Sequence, residues 1–360
     1  MYRRAYALLV GTAVFMGVAG LVVAHSIGRT MVDPDGFLGP SWLRLPMLLG
    51  AAFILDLLRT LVVRRHQLLQ PKVLIRARIR EHWGRERLTL VVLGLVSFYV
   101  TYVSYRNLKS FLPFVEGENH KFDRELDLVD HAVFLGHSPA ILLHNLLGTG
   151  VAADFLSMVY LWFLPLVPLA LIAWLTFGRN ISYGYWFATS QVLAWTFGTI
   201  SYYMLPTVGP GFFFAWRYPG VLDTPSGALM KGLYNARVGV IKSGIEGSVQ
   251  SVAGFASLHC AITLLVALMV QYTIKSRLLH WIFWVNFCLT AVATIYFGWH
   301  YIADDIAGIL IALLSFYLGG LASGQKFERK GLASHPTTTT SEVPVDRPKR
   351  DREDAEHAAP

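Results

Sequence analysis

The chain has 360 residues, 54% of them hydrophobic and only 15% charged, and its net charge is +8. Soluble domains carry roughly 25% charged residues, so the composition excludes a water-soluble globule and implies an apolar solvent. Cys260 and Cys288 are the two cysteines, and both fall inside apolar runs on different helices. That placement excludes a disulfide framework and a cysteine-based zinc site, and leaves small core residues.

A bilayer span needs about 20 mostly apolar residues. Eight such runs follow one another, at 5–25, 43–63, 88–105, 155–177, 185–205, 255–273, 279–298 and 301–321. The expected fold class is an all-α polytopic transmembrane bundle. The first run begins after MYRR and has the look of a signal peptide. It is longer than a signal core and lacks a small-residue cleavage site, with His25 and Ile27 standing where alanine is wanted, so it reads as a retained span. Residues 1–87 then hold two spans and a basic link, 88–322 hold six spans, and 323–360 form a polar tail with four threonines at 337–340, read as disordered and cytoplasmic.

The 64–87 link carries Arg64, Arg65, Lys72, Arg76, Arg78, Arg80, Arg85 and Arg87 against Glu81 and Glu86. Such a basic run is read as cytoplasmic retention rather than as a nucleic-acid surface. With it inside, the links around Arg179 and around Lys275 and Arg277, both termini, and the start of the tail at Lys326 also fall inside. Residues 26–42, 106–154, 206–254 and the turn at 299–300 fall outside. The stretch from Phe122 to Leu147 sets Leu126, Val129, Val133 and Leu143 among polar residues, as in a helix lying on the membrane surface. His137 and His144 are seven apart and are expected on one face of it. The 206–254 segment is rich in glycine and aromatics, suited to the headgroup zone.

Ionisable side chains at membrane depth are costly, so each is a functional candidate. Two groups stand out: Gly254-Phe-Ala-Ser257-Leu-His259-Cys260 and Gly298-Trp-His300-Tyr-Ile-Ala-Asp304-Asp305. The topology, drawn from lysines and arginines alone, brings both to one depth on the outer side. His300 and Asp304 are four apart at a helix start and share a face. The carboxylate then fixes the imidazole tautomer and leaves the other nitrogen free to attack. Ser257 opens a helix, where a hydroxyl and free backbone N–H groups form an anion cradle. His259, just inside it, is placed to protonate a leaving oxygen. Asp305, about 100° round the helix from Asp304, is expected to point elsewhere. Two other readings stand beside this one: polar residues satisfying each other at a helix contact, and metal or haem ligation by the histidines.

Ser257-Leu-His259 and His300-x-x-x-Asp304 resemble two signature motifs of the type-2 phosphatidic acid phosphatase superfamily. The spelling is most similar to the inositol phosphorylceramide synthase-like branch, as is Leu205-Pro-Thr-Val-Gly-Pro210. The resemblance covers roughly residues 95–320. It implies a six-helix catalytic core at 88–322 and a phospho-histidine mechanism, with His300 as nucleophile, Asp304 orienting it, His259 as the acid and Ser257 on a phosphate oxygen. Many members place an arginine six residues before the nucleophile, where this chain has Thr294, and a Lys/Arg-Pro motif is represented by Arg106-Asn-Leu-Lys109 with Pro113. Arg106, Lys109, Arg217, Arg237 and Lys242, all expected outside, are the candidate phosphate cations, with Arg106, Lys109 and Arg217 taken as substrate-binding. The missing arginine fits a less charged phosphodiester. The expected function is hydrolysis or transfer of a lipid-linked phosphate or phospholipid headgroup in a multi-pass protein of a bacterial plasma membrane, with the site extracytoplasmic. No cofactor, metal or nucleic-acid partner is expected; membrane lipids are the partners. The alternative is a non-enzymatic lipid transporter or scaffold on the same fold.

Overall fold

The computed structural model describes residues 3–333 other than 34, 37–38, 64–70, 117–120, 179, 222, 244–251, 253 and 329–330. Expectations resting on Arg64, Arg65, Arg179, His120 and the chain from 334 onward lie outside the described residues.

The eight apolar runs are helices. Six are long and apolar enough to cross a membrane: α1 (Arg3–Ser26), α2 (Ser41–Val63), α4 (Arg85–Glu116), α7 (Val151–Thr176), α12 (Arg277–Tyr296) and α13 (Ile302–Ala322). The other two are α8 (Ile181–Met204) and α11 (Leu258–Thr273). α8 is the centre of the bundle: Tyr185, Trp186 and Phe187 are fully buried, and α4, α13 and α1 pack around it. Side-chain caps fix three helix starts, through Asn180 accepting from Ser182 N at 2.9 Å, Ser257 accepting from Cys260 N and Ser276 accepting from Leu279 N. Beyond the helices the described chain holds two short antiparallel pairings, 35–36 with 39–40 and 326–328 with 331–333. The second lies in the segment expected to be a disordered tail, and its Phe327 packs on Phe316, Tyr317 and Trp186.

The basic link forms a helix of its own, α3 (Pro71–His82). Arg78 makes a two-pronged pair with the buried Asp56 of α2, at 3.0 and 2.7 Å, and Trp83 donates to the same carboxylate. Arg87 donates to the carbonyls of Leu175, Thr176 and Gly178, satisfying the C-terminal end of α7. These charges hold the end of the bundle remote from the histidines.

Three features at the other end differ from the sequence reading. α4 runs to Glu116 rather than stopping near 105, because Phe111, Leu112 and Phe114 continue its apolar face; Arg106 and Lys109 are thus on a helix rather than in a loop. The surface helix is two helices, α5 (Asp123–Val133) and α6 (Pro139–Leu147). Leu135 and Gly136 have positive φ (53° and 87°), which ends α5, and Pro139 takes the first position of α6, where a proline is favoured. His137 therefore lies before α6 and shares no helical face with His144, whose Nε2 meets Tyr296 O at 2.8 Å. The glycine-rich segment holds a short α9 (Pro210–Phe213), 3₁₀ turns at Ala215–Arg217 and Pro219–Val221, and α10 (Pro225–Ser243).

α11, at 16 residues, spans about 24 Å, less than the roughly 30 Å of hydrocarbon.

Candidate active site

His300 hangs in the five-residue turn between α12 and α13. The C-terminus of α12 closes with Gly298 at φ 70°, Trp299 N donating to Thr294 O at 2.9 Å and His300 N to the same carbonyl at 3.3 Å. On its other side α13 begins, and Asp304 turns back on that start. Asp304 Oδ2 accepts from Tyr301 N at 3.0 Å and meets His300 Nδ1 at 3.1 Å. An ionised carboxylate only accepts, so with Asp304 ionised Nδ1 would carry the proton and Nε2 would keep its lone pair. Asp304 is fully buried and His300 is 6% exposed.

The two sequence clusters meet through the backbone: Ser257 N donates to Asp304 O at 2.9 Å. Such an approach is possible because residue 308 is glycine; a Cβ there would stand 2.3 Å from Ser257 O. Ser257 caps α11, and His259 follows in its first turn. The His259 ring lies between Tyr160, stacked at 4.2 Å, and Phe163 at 4.0 Å, and Trp299 stacks on the far face of Tyr160 at 5.1 Å. His259 and His300 are within electrostatic reach of each other, and the charge of Lys109 is felt at both. Lys109 is buried, with Nζ 3.4 Å from Tyr105 OH and over the rings of Tyr202 and Tyr105. Arg106, one turn away, donates to Tyr102 OH at 3.3 Å and adds to the field at Lys109. Arg217 is placed differently: it pairs with Asp127 of α5 at 2.7 Å and stacks over Phe214, tying the aromatic segment to α5. Lys242 is exposed at the end of α10.

Asp305 does point away from His300, yet it is not idle. It is buried, its Oδ2 accepts from Thr294 Oγ1 at 2.8 Å, and the side chains of Ser257 and Cys260 face the same carboxylate. The position where an arginine was expected thus holds a threonine bonded to an aspartate.

Two further residues went unnoticed in the sequence. Asp123 accepts from Val208 N, Gly209 N and Tyr301 OH, at 3.1, 2.9 and 3.0 Å. Asp130 accepts from Ile302 N, the first helical residue of α13, at 3.2 Å. They clamp the proline-glycine segment and the turn of His300 to α5. Burial pushes both carboxyls up, Asp130 to about 6. A signal existed: Asp123, Leu126 and Asp130 are spaced three and seven apart, which puts two acids on the apolar face of a surface helix. Gly209, at φ 90°, and Gly211 lie so close to the 298–299 backbone that a Cβ would meet it at 2.5 and 2.9 Å, and Gly211 N donates to Gly298 O at 2.7 Å.

Among the described residues no three His, Cys, Asp or Glu side chains form a metal-binding group. A paired imidazole, a capped helix N-terminus and a buried lysine are groups from which a nucleophilic anion site can be built.

A family model described as the PAP2 superfamily matches residues 124–318. The chain belongs to the PAP2 superfamily. The matched region runs from α5 to α13 and so contains Ser257, His259, His300 and Asp304. Among curated proteins and among solved structures, nothing matches the chain. As a PAP2 member with at least six membrane-length helices, it is a multi-pass membrane enzyme of the phosphatase or phosphotransferase type.

Proposed function

We propose that the protein transfers the phosphoryl group of a lipid-linked phosphate or phospholipid headgroup through a phospho-histidine, at the extracytoplasmic face. The single observation that carries this reading is the His300–Asp304 pair at 3.1 Å, joined by Ser257 N→Asp304 O to the helix terminus that would hold the phosphate. His300 Nε2 attacks phosphorus; the N–P bond forms as the P–O bond to the leaving group breaks. His259 gives that oxygen its proton. In the second half, water or an alcohol loses a proton to His259 and its oxygen displaces Nε2 from phosphorus. Asp304 stays ionised and steadies the imidazolium-like ring. Ser257 and the first N–H groups of α11 bind non-bridging oxygens, and Lys109, with Arg106 beside it, supplies positive charge. The catalytic core is 88–322. The outer face is our reading of the basic links, which the positive-inside rule assigns to the cytoplasm, and a plasma membrane of bacterial type is our assignment of place. A site at the end of α11, whose 16 residues are shorter than the roughly 20 a bilayer span needs, suits a phosphate that arrives attached to a lipid. The inositolphosphotransferase-like spelling of the motifs favours an alcohol acceptor.

The test is purified protein incubated with a panel of lipid phosphates and phospholipids, with and without inositol or glycerol. Turnover should occur, and denatured enzyme quenched mid-reaction should carry acid-labile, base-stable phosphate that is absent in His300→Ala. Absence of turnover across the panel would refute the reading and turn attention to a lipid transporter or scaffold.

A further inference from the structure

Asp305 has no place in the mechanism above, yet it lies against the residue that mechanism assigns to the phosphate. Its carboxylate is buried, bonded to Thr294 Oγ1 at 2.8 Å and faced by the side chains of Ser257 and Cys260, and its Oδ1 takes no hydrogen bond. Asp305, Asp123 and Asp130 all lie close enough to Asp304 to act on its charge. The positive charge felt at both histidines is that of Lys109. An anion seated at the start of α11 therefore meets helix N–H groups and a lysine on one side and a carboxylate on the other.

Packing alone does not account for the aspartate. A buried carboxylate costs several kcal/mol unless its partners compensate, and the groups that face this one, Cys260, Thr294 and Ser257, are all neutral. An asparagine would fill the same space and keep the bond to Thr294. What aspartate adds is negative charge at the rim of an anion cradle.

Resting on the phosphoryl-transfer reading, we propose that Asp305, held by Thr294, is a specificity-determining residue that selects singly charged phosphodiesters over phosphomonoesters. A diester brings one negative charge and two non-bridging oxygens. A monoester brings close to two charges at neutral pH and a third oxygen, which has to lie toward Asp305 when the other two face Ser257 and Lys109. The extra charge is repelled by Asp305; two unit charges about 6 Å apart at an effective dielectric of about 20 would disfavour the monoester by about 100-fold.

The test uses the full-length protein in detergent and two soluble probes with the same leaving group, p-nitrophenyl phosphate and bis(p-nitrophenyl) phosphate. The wild type should favour the diester in kcat/KM. Asp305→Asn should raise the monoester-to-diester ratio by about 100-fold, and Thr294→Arg should move it the same way. Glu81→Gln removes an exposed carboxylate on α3, at the end of the bundle remote from the histidines, and should leave the ratio alone. A ratio unchanged in both site variants overturns the selection role while leaving phosphoryl transfer intact. A wild type inert on both probes and on the lipid panel overturns both readings together. A measurement on the wild type needs no variant to fold: dimethyl phosphate should compete better than inorganic phosphate, and the reverse order would overturn the proposal.

Discussion

Asp304→Asn is the sharpest probe of the paired histidine. The Asp304 Oδ2 accepts from both His300 Nδ1 and Tyr301 N, and Oδ1 is buried without a hydrogen bond. In one amide orientation the oxygen keeps both bonds and the NH2 takes the Oδ1 position, where an unmet donor costs about 1–3 kcal/mol. In the other, NH2 faces Tyr301 N–H and His300, which forces the ring proton onto Nε2 and removes the nucleophile. Either way the negative charge beside the ring is lost. A unit charge about 4 Å from the cationic ring is worth about 4 kcal/mol at an effective dielectric near 20, or about 10³-fold in rate. The corresponding change in a serine-protease Asp–His pair costs about 10⁴-fold. We therefore expect kcat/KM to fall between these limits. The assay is p-nitrophenyl ester turnover in detergent, which needs little help from a leaving-group acid, on variant protein whose elution volume and helical circular dichroism match the wild type. A loss smaller than tenfold in such protein would refute the assignment of His300 as a nucleophile oriented by Asp304.

His259→Ala should lower turnover of a lipid substrate far more than that of a nitrophenyl ester, whose leaving group needs no proton; equal losses would reassign His259 to phosphate binding beside Ser257. Gly308→Ala puts a Cβ 2.3 Å from Ser257 O and should cost about 1–3 kcal/mol, read as a lower thermal midpoint together with lost activity; a silent variant would mean the α11–α13 crossing is looser than described. Burial, with Asp127 and Asp305 adding to it, raises the Asp130 carboxyl to about 6, against the usual 3.8. The folded state then holds more protons than the unfolded one between these values, so this group's contribution to stability is complete below about 4 and is lost as pH rises through about 6. Asp130→Asn, which keeps the acceptor for Ile302 N, should flatten that part of a melting-temperature profile. Single cysteines near residue 232 should react with an impermeant reagent from outside in cells, while cysteines near 70 and 335 should not; labelling near 70 would invert the topology.

The spans were legible because bilayer burial is written in long apolar runs, and the pairing of His300 with Asp304 because a spacing of four is fixed by helix geometry. Even α8 and α11 were visible, the one through its aromatics and the other through the Ser257 start. What escaped was set by tertiary contact. The break at Leu135–Gly136 is signalled only by a glycine and Pro139, easily overridden by the apolar pattern on either side. α4 outlasts its most apolar stretch because its last turns bury Lys109 against tyrosines, and a charge count reads that lysine as solvated. Asp305 was judged by its angle from Asp304, correctly for His300. That angle is silent about Thr294, eleven residues earlier and on another helix. Asp123 and Asp130 act across more than 170 residues, on Tyr301 and Ile302, which no local rule reaches.

The contact of Gly209 and Gly211 with the backbone at 298–299 limits how this site can be altered. The segment after Pro206 has the look of an interchangeable loop, the first thing one would transplant from a relative to change what the enzyme accepts. It is spliced by main chain to the residue preceding Trp299, and by Asp123 to Tyr301. A donor loop with any side chain at 209 or 211 would push on the histidine it was meant to serve. Redesign has to proceed by exchanging side chains on a retained backbone, and chimaeras cut at 206 and 222 should fail in chemistry before they fail in binding.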